Sequence, residues 1–491
     1  MIQSRPLNRL PLVVLAACSL SACMVGPNYR RPAVVTPLAF KEAAGWAPAT
    51  PSDAADKSDW WTAFGDPVLD GLEQRVNISN QTLAADEAAY RASHAMVAED
   101  RAALFPSVTL GGVTQRSFTG GGAAQSKFAS TTGTSGSTTA RRSGNTSIIY
   151  EPNVGGTWAP DLWGAVRRTL RGAKDTAQAD AATLANARLS VQTELATDYI
   201  LLRQYDADSM VYATEVAAYS RSLKVFQNQY RAGIVARSAA LTAQTTLQNA
   251  QTNQADLARQ RALMEHAIAV LVGIPPADLT ITPVAWSLQL PQIPAIVPGS
   301  LLQRRPDIAQ AERNAAAANE LIGVQVAAFF PNISLSANGG LESNQLANLF
   351  NTANIFWSIG ANVSEAVFDA GLHSARVRQY RAQYDEAVAT YRESVLTAFQ
   401  NVEDNLAAQR VYGSELALAS STAEVAAENE TITNNELLAG AVDYTTVAAT
   451  EAAALSAQLS QVQIQSSRLA TAVALIEALG GGWNTGKLPP G

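Results

Sequence analysis

Charge is scarce in this chain of 491 residues. Asp, Glu, Lys and Arg together make up 16%, against about 25% in an ordinary globular protein. Long windows are filled instead by Ala, Gln, Thr, Ser, Asn and Leu. The net charge of −7 supplies no basic face, so no nucleic-acid partner is expected. Cysteine is scarcer still, with Cys18 and Cys23 the only two. If the chain is cut before Cys23, one cysteine remains and no internal disulfide can form, so stability must come from helix packing and assembly. Beyond the first 23 residues no apolar run reaches the ~18 residues that a spanning helix needs. If the chain crosses a membrane, it must do so as a barrel.

The motifs of catalysis are missing too. There is no Gly-x-Ser-x-Gly elbow and no phosphate loop, and the glycine run at 120–122 precedes no helix. His94, His266 and His373 lie far apart, without paired carboxylate or cysteine spacing. Neither a metal site, a cofactor nor an enzymatic activity is expected.

The N-terminus carries an address. Arg5 and Arg9 precede an apolar run at 10–20, too short to span a bilayer but suited to a signal-peptide core. Leu20-Ser21-Ala22-Cys23 resembles a bacterial lipobox, in which Cys23 becomes the first mature residue and carries lipid, palmitate included, on its sulfur and amino group. A plain signal peptide cut at a small residue is the alternative. Met24 beside it, rather than Asp, resembles the pattern for outer-membrane delivery. Removing residues 1–22 takes away Arg5 and Arg9, so −7 becomes −9.

Residues 23–60 are Pro-rich and read as an extended segment. Two repeats follow, at 61–272 and 301–482, separated by a connector at 273–300 and followed by a tail at 483–491. Residues 274–299 alone hold six prolines. Each repeat offers shorter helices, a β-hairpin (about 107–158 and about 332–364) and one very long helix. In the first repeat no proline occurs between Trp163 and Tyr230, enough for roughly 100 Å of helix at 1.5 Å per residue. The repeat has an internal ruler. Gly233 and Gly273 are 40 residues apart, as are Gly440 and Gly480, and Phe105-Pro106 recurs as Phe330-Pro331 at an offset of 225. An insertion in the first hairpin loop accounts for the difference from the 207 that separates Gly233 from Gly440. That loop, 117–147, is nearly all Gly, Ser, Thr and Ala, and reads as long and mobile. Gly111-Gly112 and Pro152 interrupt the first pair of strands, leaving their edges open. In the second hairpin Ile355, Trp357, Ile359, Ala361 and Val363 share one face. The last helix carries a heptad seam of Leu455, Leu459, Val462, Leu469, Val473 and Ile476, with Ser466 at the missing position.

Four strands cannot close a membrane barrel, because the smallest has about eight. Two chains would give about eight strands with a filled interior, whereas three would give about twelve and room for water. The fold class expected is mainly α, with long antiparallel coiled-coil helices and a small transmembrane β part of four strands per chain.

The residues resemble a family. Cys23-Met-Val-Gly26-Pro27-Asn28-Tyr29-Arg30-Arg31-Pro32, Trp60-Trp61 with Phe64 and Asp66-Pro67, Asp161-Leu162-Trp163-Gly164, Arg304-Arg305-Pro306-Asp307-Ile308 with Glu312, Ile322-Gly323-Val324 and the two Phe-Pro junctions are similar in order and spacing to the TolC-like outer-membrane factors of tripartite efflux pumps, lipoprotein branch. The resemblance implies a homotrimer with a twelve-stranded barrel in the outer membrane and a twelve-helix periplasmic tunnel. It also implies helical tips that meet a periplasmic adaptor (membrane fusion) protein and an inner-membrane pump of the RND type, as in antibiotic-resistance efflux. The function implied is a passive exit duct for drugs or other small molecules. A lipid-anchored periplasmic coiled-coil scaffold without channel activity is the rival reading, and a lipoprotein enzyme a weaker one.

The two breaks become candidate sites. Asp443, after Gly440, would appear three times around a trimer axis and form a carboxylate ring with Leu438 and Tyr444 near it, a periplasmic gate. A helix cap is the alternative role for Asp443. Arg231, Gly233, Ile234 and Arg237 in the first turn, with Gly440, Ala441 and Val442 in the second, are the candidate adaptor contacts. Residues 304–312 read as a helix start, with Pro306 in the first turn and Asp307 at the positive end of the dipole. Tyr150 and Trp357 are candidates for a membrane-interface girdle, ordinary packing being the alternative.

Overall fold

The computed structural model describes residues 24–43, 59–119, 145–291 and 302–489; Cys23 and most of the first hairpin loop lie outside them. The main elements are α1 (Pro67–Ser79), α2 (Gln81–Ala102), β1 (Ser107–Thr119), β2 (Asn145–Trp158), α3 (Ala165–Arg231) and α4 (Arg237–Leu271), then α5 (Pro306–Ala327), β3 (Asn332–Leu341), β4 (Ile355–Ser364), α6 (Leu372–Leu438) and α7 (Tyr444–Ala478). The duplication is metrical. α2 and α5 have 22 residues each, α3 and α6 have 67, and α4 and α7 have 35. Among the described residues no helix is long and apolar enough to cross a membrane.

The chain divides into two compact units. One comprises Met1–Tyr29, Ala95–Ala173 and Ala317–Tyr384, and the other Arg30–His94, Lys174–Ala316 and Asp385–Gly491.

In the second, helical unit the stops and starts follow from local chemistry. Asp66 caps α1, its Oδ1 accepting from Val68 N at 2.8 Å, and Pro67 takes the first position, where its missing N–H costs nothing. Asn80 caps α2 through Leu83 N at 2.9 Å and donates Nδ2 to Leu271 O at 2.7 Å. In the other repeat Arg305 donates Nη1 to Ala478 O at 2.9 Å, 207 residues from Leu271. Gly273 and Gly480 close α4 and α7 with φ of 70° and 92°. A Cβ at Gly273 would lie 2.0 Å from Ser79 O, and one at Gly480 would lie 2.0 Å from Arg304 O. Neither repeat can place a larger residue there.

The largest core joins Trp60, Trp61, Phe64, Leu69, Leu72 and Val76 to Leu195, Tyr199 and Ile200 of α3 and to Ile268, Leu469 and Val473. The heptad seam of α7 is thus buried at Leu469 and Val473, while Leu455, Leu459 and Val462 are half-buried. A second core packs Ile308 and Leu475 on Tyr391, Val395 and Phe399 of α6. Pro306 opens α5 as its spacing predicts.

The other unit holds a four-stranded antiparallel sheet, β1-β2-β3-β4. The strands of the first hairpin run unbroken through Gly111-Gly112 and Pro152, contrary to the interruption expected from the sequence. Pro152 faces Gly112 across the ladder. On its other side the β2–β3 pairing ends at Asn153, with only a bridge at Tyr150 and Ser343 beyond, so no partner strand requires the absent proline N–H. Strand also claims 117–119 and 145–147 from the expected loop; the rest of that loop lies outside the described residues.

Registers decide the faces. Val108, Leu110, Val154, Trp158, Leu335, Ile355, Trp357, Ile359 and Val363 lie on one face and are exposed. Ser107, Thr109, Gln115, Asn153, Thr157, Ser334, Ser336, Asn338, Ser358 and Asn362 lie on the other, with Val113, Ile149 and Phe356 as the apolar exceptions. Among the described residues no helix hides the apolar residues of the first face from solvent.

Candidate functional site

The two turns between long helices are built alike. Gly233 and Gly440 have φ of 72° and 75°, a left-handed backbone that glycine adopts without strain. After each, an N–H reaches back five residues: Ile234 N to Gln229 O at 2.8 Å and Ala441 N to Glu436 O at 2.9 Å. This is the six-to-one bond that ends a helix at glycine. A Cβ on either glycine would meet nothing within 4 Å, so conformation rather than space demands glycine here.

The turns then differ. In the second, Asp443 caps α7. Its Oδ1 accepts from Thr446 N at 3.0 Å, Thr445 Oγ1 at 2.7 Å and Thr446 Oγ1 at 2.9 Å. Those bonds, Thr445's first, hold its carboxyl below the usual range, so it is ionised at neutral pH and exposed. In the first turn the capping position is Ala236, which makes no side-chain bond. Arg231 bonds Asn228 Oδ1 and Gln227 O, and Arg231, Ile234 and Arg237 face solvent. Ile234 is 72% exposed and Leu438 84%.

A small core joins the turns. Phe226 and Tyr444 meet with ring centroids 4.1 Å apart, and Ala243 and Val447 complete the cluster with Val235, Leu437 and Val442 at its margin. The structure therefore brings together Val442, Tyr444 and the flank of Gly233, while Leu438, Gly440, Ala441 and Asp443 stay on the surface.

Composition gave no notice of what lies further along these helices. Glu215 of α3, Glu430 of α6 and Glu451 of α7 form a carboxylate group. Glu451 lies seven residues beyond Tyr444, about two helical turns. Glu215 and Glu451 are 5% and 3% exposed, and each has an Oε2 without a hydrogen-bond partner among the described residues. Burial first, then the charge of Glu430, pushes the Glu215 carboxyl up to about 7, against a hydrogen bond from Tyr219. Burial, then Glu430 and Glu215, pushes Glu451 up to about 7, and burial raises Glu430. No arginine or lysine enters these interactions. One signal was available in the sequence: Glu451 is the lone charged residue between Asp443 and Arg468.

Comparisons with known proteins agree with this architecture. A family model described as outer membrane efflux protein matches residues 72–274 and 297–481. The pyoverdine export outer membrane protein OpmQ of Pseudomonas aeruginosa is 29% identical over 479 residues, covering 96% of this chain and 97% of its own. The solved structure of the outer-membrane channel OprN is 26% identical, with a TM-score of 0.81 over 94% of this chain and 100% of that one. The Campylobacter jejuni CmeC outer membrane channel, at 21% identity, has the same fold, with a TM-score of 0.87 over 95% of this chain and 96% of that one.

Proposed function

Because the chain belongs to the outer membrane efflux protein family, as an efflux channel protein of the outer membrane, we propose that three copies close one barrel and form the passive exit duct of a tripartite pump. The observation that carries the closure is the sheet: one face exposed and mainly apolar, with Thr114, Arg116 and Thr146 polar toward its loop end, the other mainly polar, and two outer strands, β1 and β4, without a further partner among the described residues. Unpaired edges cannot face lipid, because each open N–H and C=O there would cost several kcal/mol. Three copies give about twelve strands, with the polar face lining water and the apolar face toward lipid. Trp158 and Tyr150 share the apolar face eight residues apart, about 26 Å along a strand. That matches the roughly 25 Å band between aromatic girdles; Trp357 shares this face but is in register, through Gly339, with Val154 between the two.

Cys23 carries the lipid and holds the chain at the outer membrane. The paired turns form the periplasmic end. Arg231, Gly233, Ile234 and Arg237, with Gly440, Ala441 and Val442, meet the adaptor, whose own partner is an inner-membrane RND-type pump. Asp443, repeated three times, gives the entrance its negative ring and the exposed Leu438 narrows it, while Tyr444, expected at the gate, is buried against Phe226 and supports the turn from within. The substrates are small organic molecules that cross without chemistry. Detergent-extracted protein tests the reading: a trimer that conducts ions in planar bilayers supports it, whereas a non-conducting species released once its lipid is removed overturns it.

A further inference from the structure

Arg168, in the first turn of α3, is completely buried, yet most of its partners lie far away in sequence. Its Nε donates to Val25 O at 2.6 Å, Nη1 to Pro27 O at 3.0 Å and to Glu320 Oε2 at 2.9 Å, and Nη2 to Gly26 O at 3.0 Å and Asn28 Oδ1 at 3.3 Å. Those five bonds equal the donor capacity of a guanidinium. Glu320, itself 4% exposed, supplies the countercharge that a buried arginine needs. The other partners belong to one stretch, 25–28, and three are main-chain carbonyls.

Other contacts seat the same stretch. Val25 N donates to Trp163 O at 3.2 Å, and Asn319 Nδ2 donates to Pro27 O at 3.2 Å. Gly26 has φ of +94°, and a Cβ there would lie 2.6 Å from Gly323 Cα; a Cβ at Gly164 would lie 2.6 Å from Met24 Cγ. Three motifs distant in sequence, at 24–28, 161–164 and 322–323, are thus parts of one cradle, all within the sheet-bearing unit. The cradle lies at one end of the sheet. Trp163 stacks on Phe330 with centroids 4.9 Å apart and donates Nε1 to Pro331 O at 2.8 Å, directly before β3 begins.

We propose that this cradle is a receptor for the chain's own residues 24–28, with Arg168 as its positioning residue, which holds the lipid-bearing end of the chain at the base of the sheet. The lipid is part of the reading above; the receptor is not, because the bonds that seat residues 25–28 join protein atoms only. Delivery and insertion are then in register. On the lipid reading the acyl chains attach to the residue before Met24, and Met24 itself lies against Gly164, next to the Trp163 that stacks on Phe330. Lysine could not replace Arg168, since it offers three donors from one point instead of five in a planar fork.

The test is trypsin cleavage after Arg30 in the full-length protein in outer-membrane preparations, with labelled palmitate scored in parallel. Arg168→Met should raise the cleavage rate about tenfold or more, the factor for losing roughly one charge-assisted bond. Gly26→Ala should do the same from the strap side, where its Cβ would meet Gly323 Cα at 2.6 Å while Arg168 and Glu320 stay in place as a pair, so a folding defect of Arg168→Met would not mask the effect. A form with Cys23→Ser behind a leader cleaved without lipidation should stay as protected as the parent. Equal rates in the parent, Arg168→Met and Gly26→Ala would overturn the receptor. Fast cleavage of the lipid-free form would overturn it as well, since the lipid would then be the holder. A slowly cleaved parent that takes up no palmitate would sink the lipid reading and leave the receptor standing.

Discussion

Phe226 and Tyr444 meet with ring centroids 4.1 Å apart and planes inclined at 52°, so a single aromatic contact ties the Gly233 turn to the Gly440 turn within one chain. Both rings are buried, at 3% and 5% exposure. Neither turn can move outward without separating them.

Truncating that contact should loosen the end of the helical unit. Phe226→Ala removes a buried ring, a change worth about 3–5 kcal/mol in a packed core, and with it the aromatic pair. The expected outcome is a higher open probability in planar bilayers, with trimer yield retained because the large core around Trp61 and Leu195 lies elsewhere. An unchanged open probability would detach the pair from closure.

Asp443 has two separable properties, a helix cap and a negative charge. Asp443→Ala removes both cap and charge, and should raise single-channel conductance. Asp443→Asn keeps an oxygen for Thr446 N but removes the charge. A charge ring predicts that both variants conduct more and lose cation preference. If only the alanine variant changes, the residue acts as a cap and the ring is wrong.

The carboxylates at 215, 430 and 451 make the closed packing pH-dependent. Their pKa values are raised in the folded chain, to about 7 for Glu215 and Glu451, so the native state holds more protons than the unfolded one between the ordinary carboxylate value and 7. Stability is therefore complete below about 4.5 and is lost as pH rises through 7. The groups facing them are Tyr219 and Tyr444, which add no positive charge. Conductance should rise from pH 5.5 to pH 8 in the parent. In the Glu215→Gln, Glu451→Gln double variant it should stay low and flat, and a parental pH profile there would exclude the cluster.

The two faces of β4 should respond oppositely to charge. Ile359→Arg places a cation on the lipid side near the middle of the strand, at a cost of roughly 2–4 kcal/mol per chain, and should cut the yield of membrane trimer. Ser358→Arg, one residue away on the polar face, should assemble normally and lower cation conductance. Equal yields would mean that the apolar face does not meet lipid.

Much of this architecture was legible because it rests on periodicity and on glycine. The 40-residue spacing from Gly233 to Gly273 and from Gly440 to Gly480 reflects helices that stop at a left-handed residue, which local conformation demands at 233 and 440 and the close approach of Ser79 and Arg304 reinforces at 273 and 480. Alternation at 355–363 disclosed a two-faced strand for the same kind of reason. The first hairpin was harder to read. Gly111, Gly112 and Pro152 look like breaks by propensity, but propensity is overridden when the proline lies opposite a glycine and beyond the end of its other ladder. The Arg168 cradle was visible only as scattered motifs, since nothing in a sequence reports that residue 168 lies against residue 26.

The sequence by itself determined the element lengths and the duplication, because each depends largely on neighbours within a few turns. Only the tertiary structure decided which buried charges are paired. Arg168 has Glu320 and four oxygens from 25–28, whereas Glu215 and Glu451 share one interior with no cation among their interactions. Electrostatic energy depends on distance and on exclusion of water, and both are set by which helices pack together rather than by the order of residues along them.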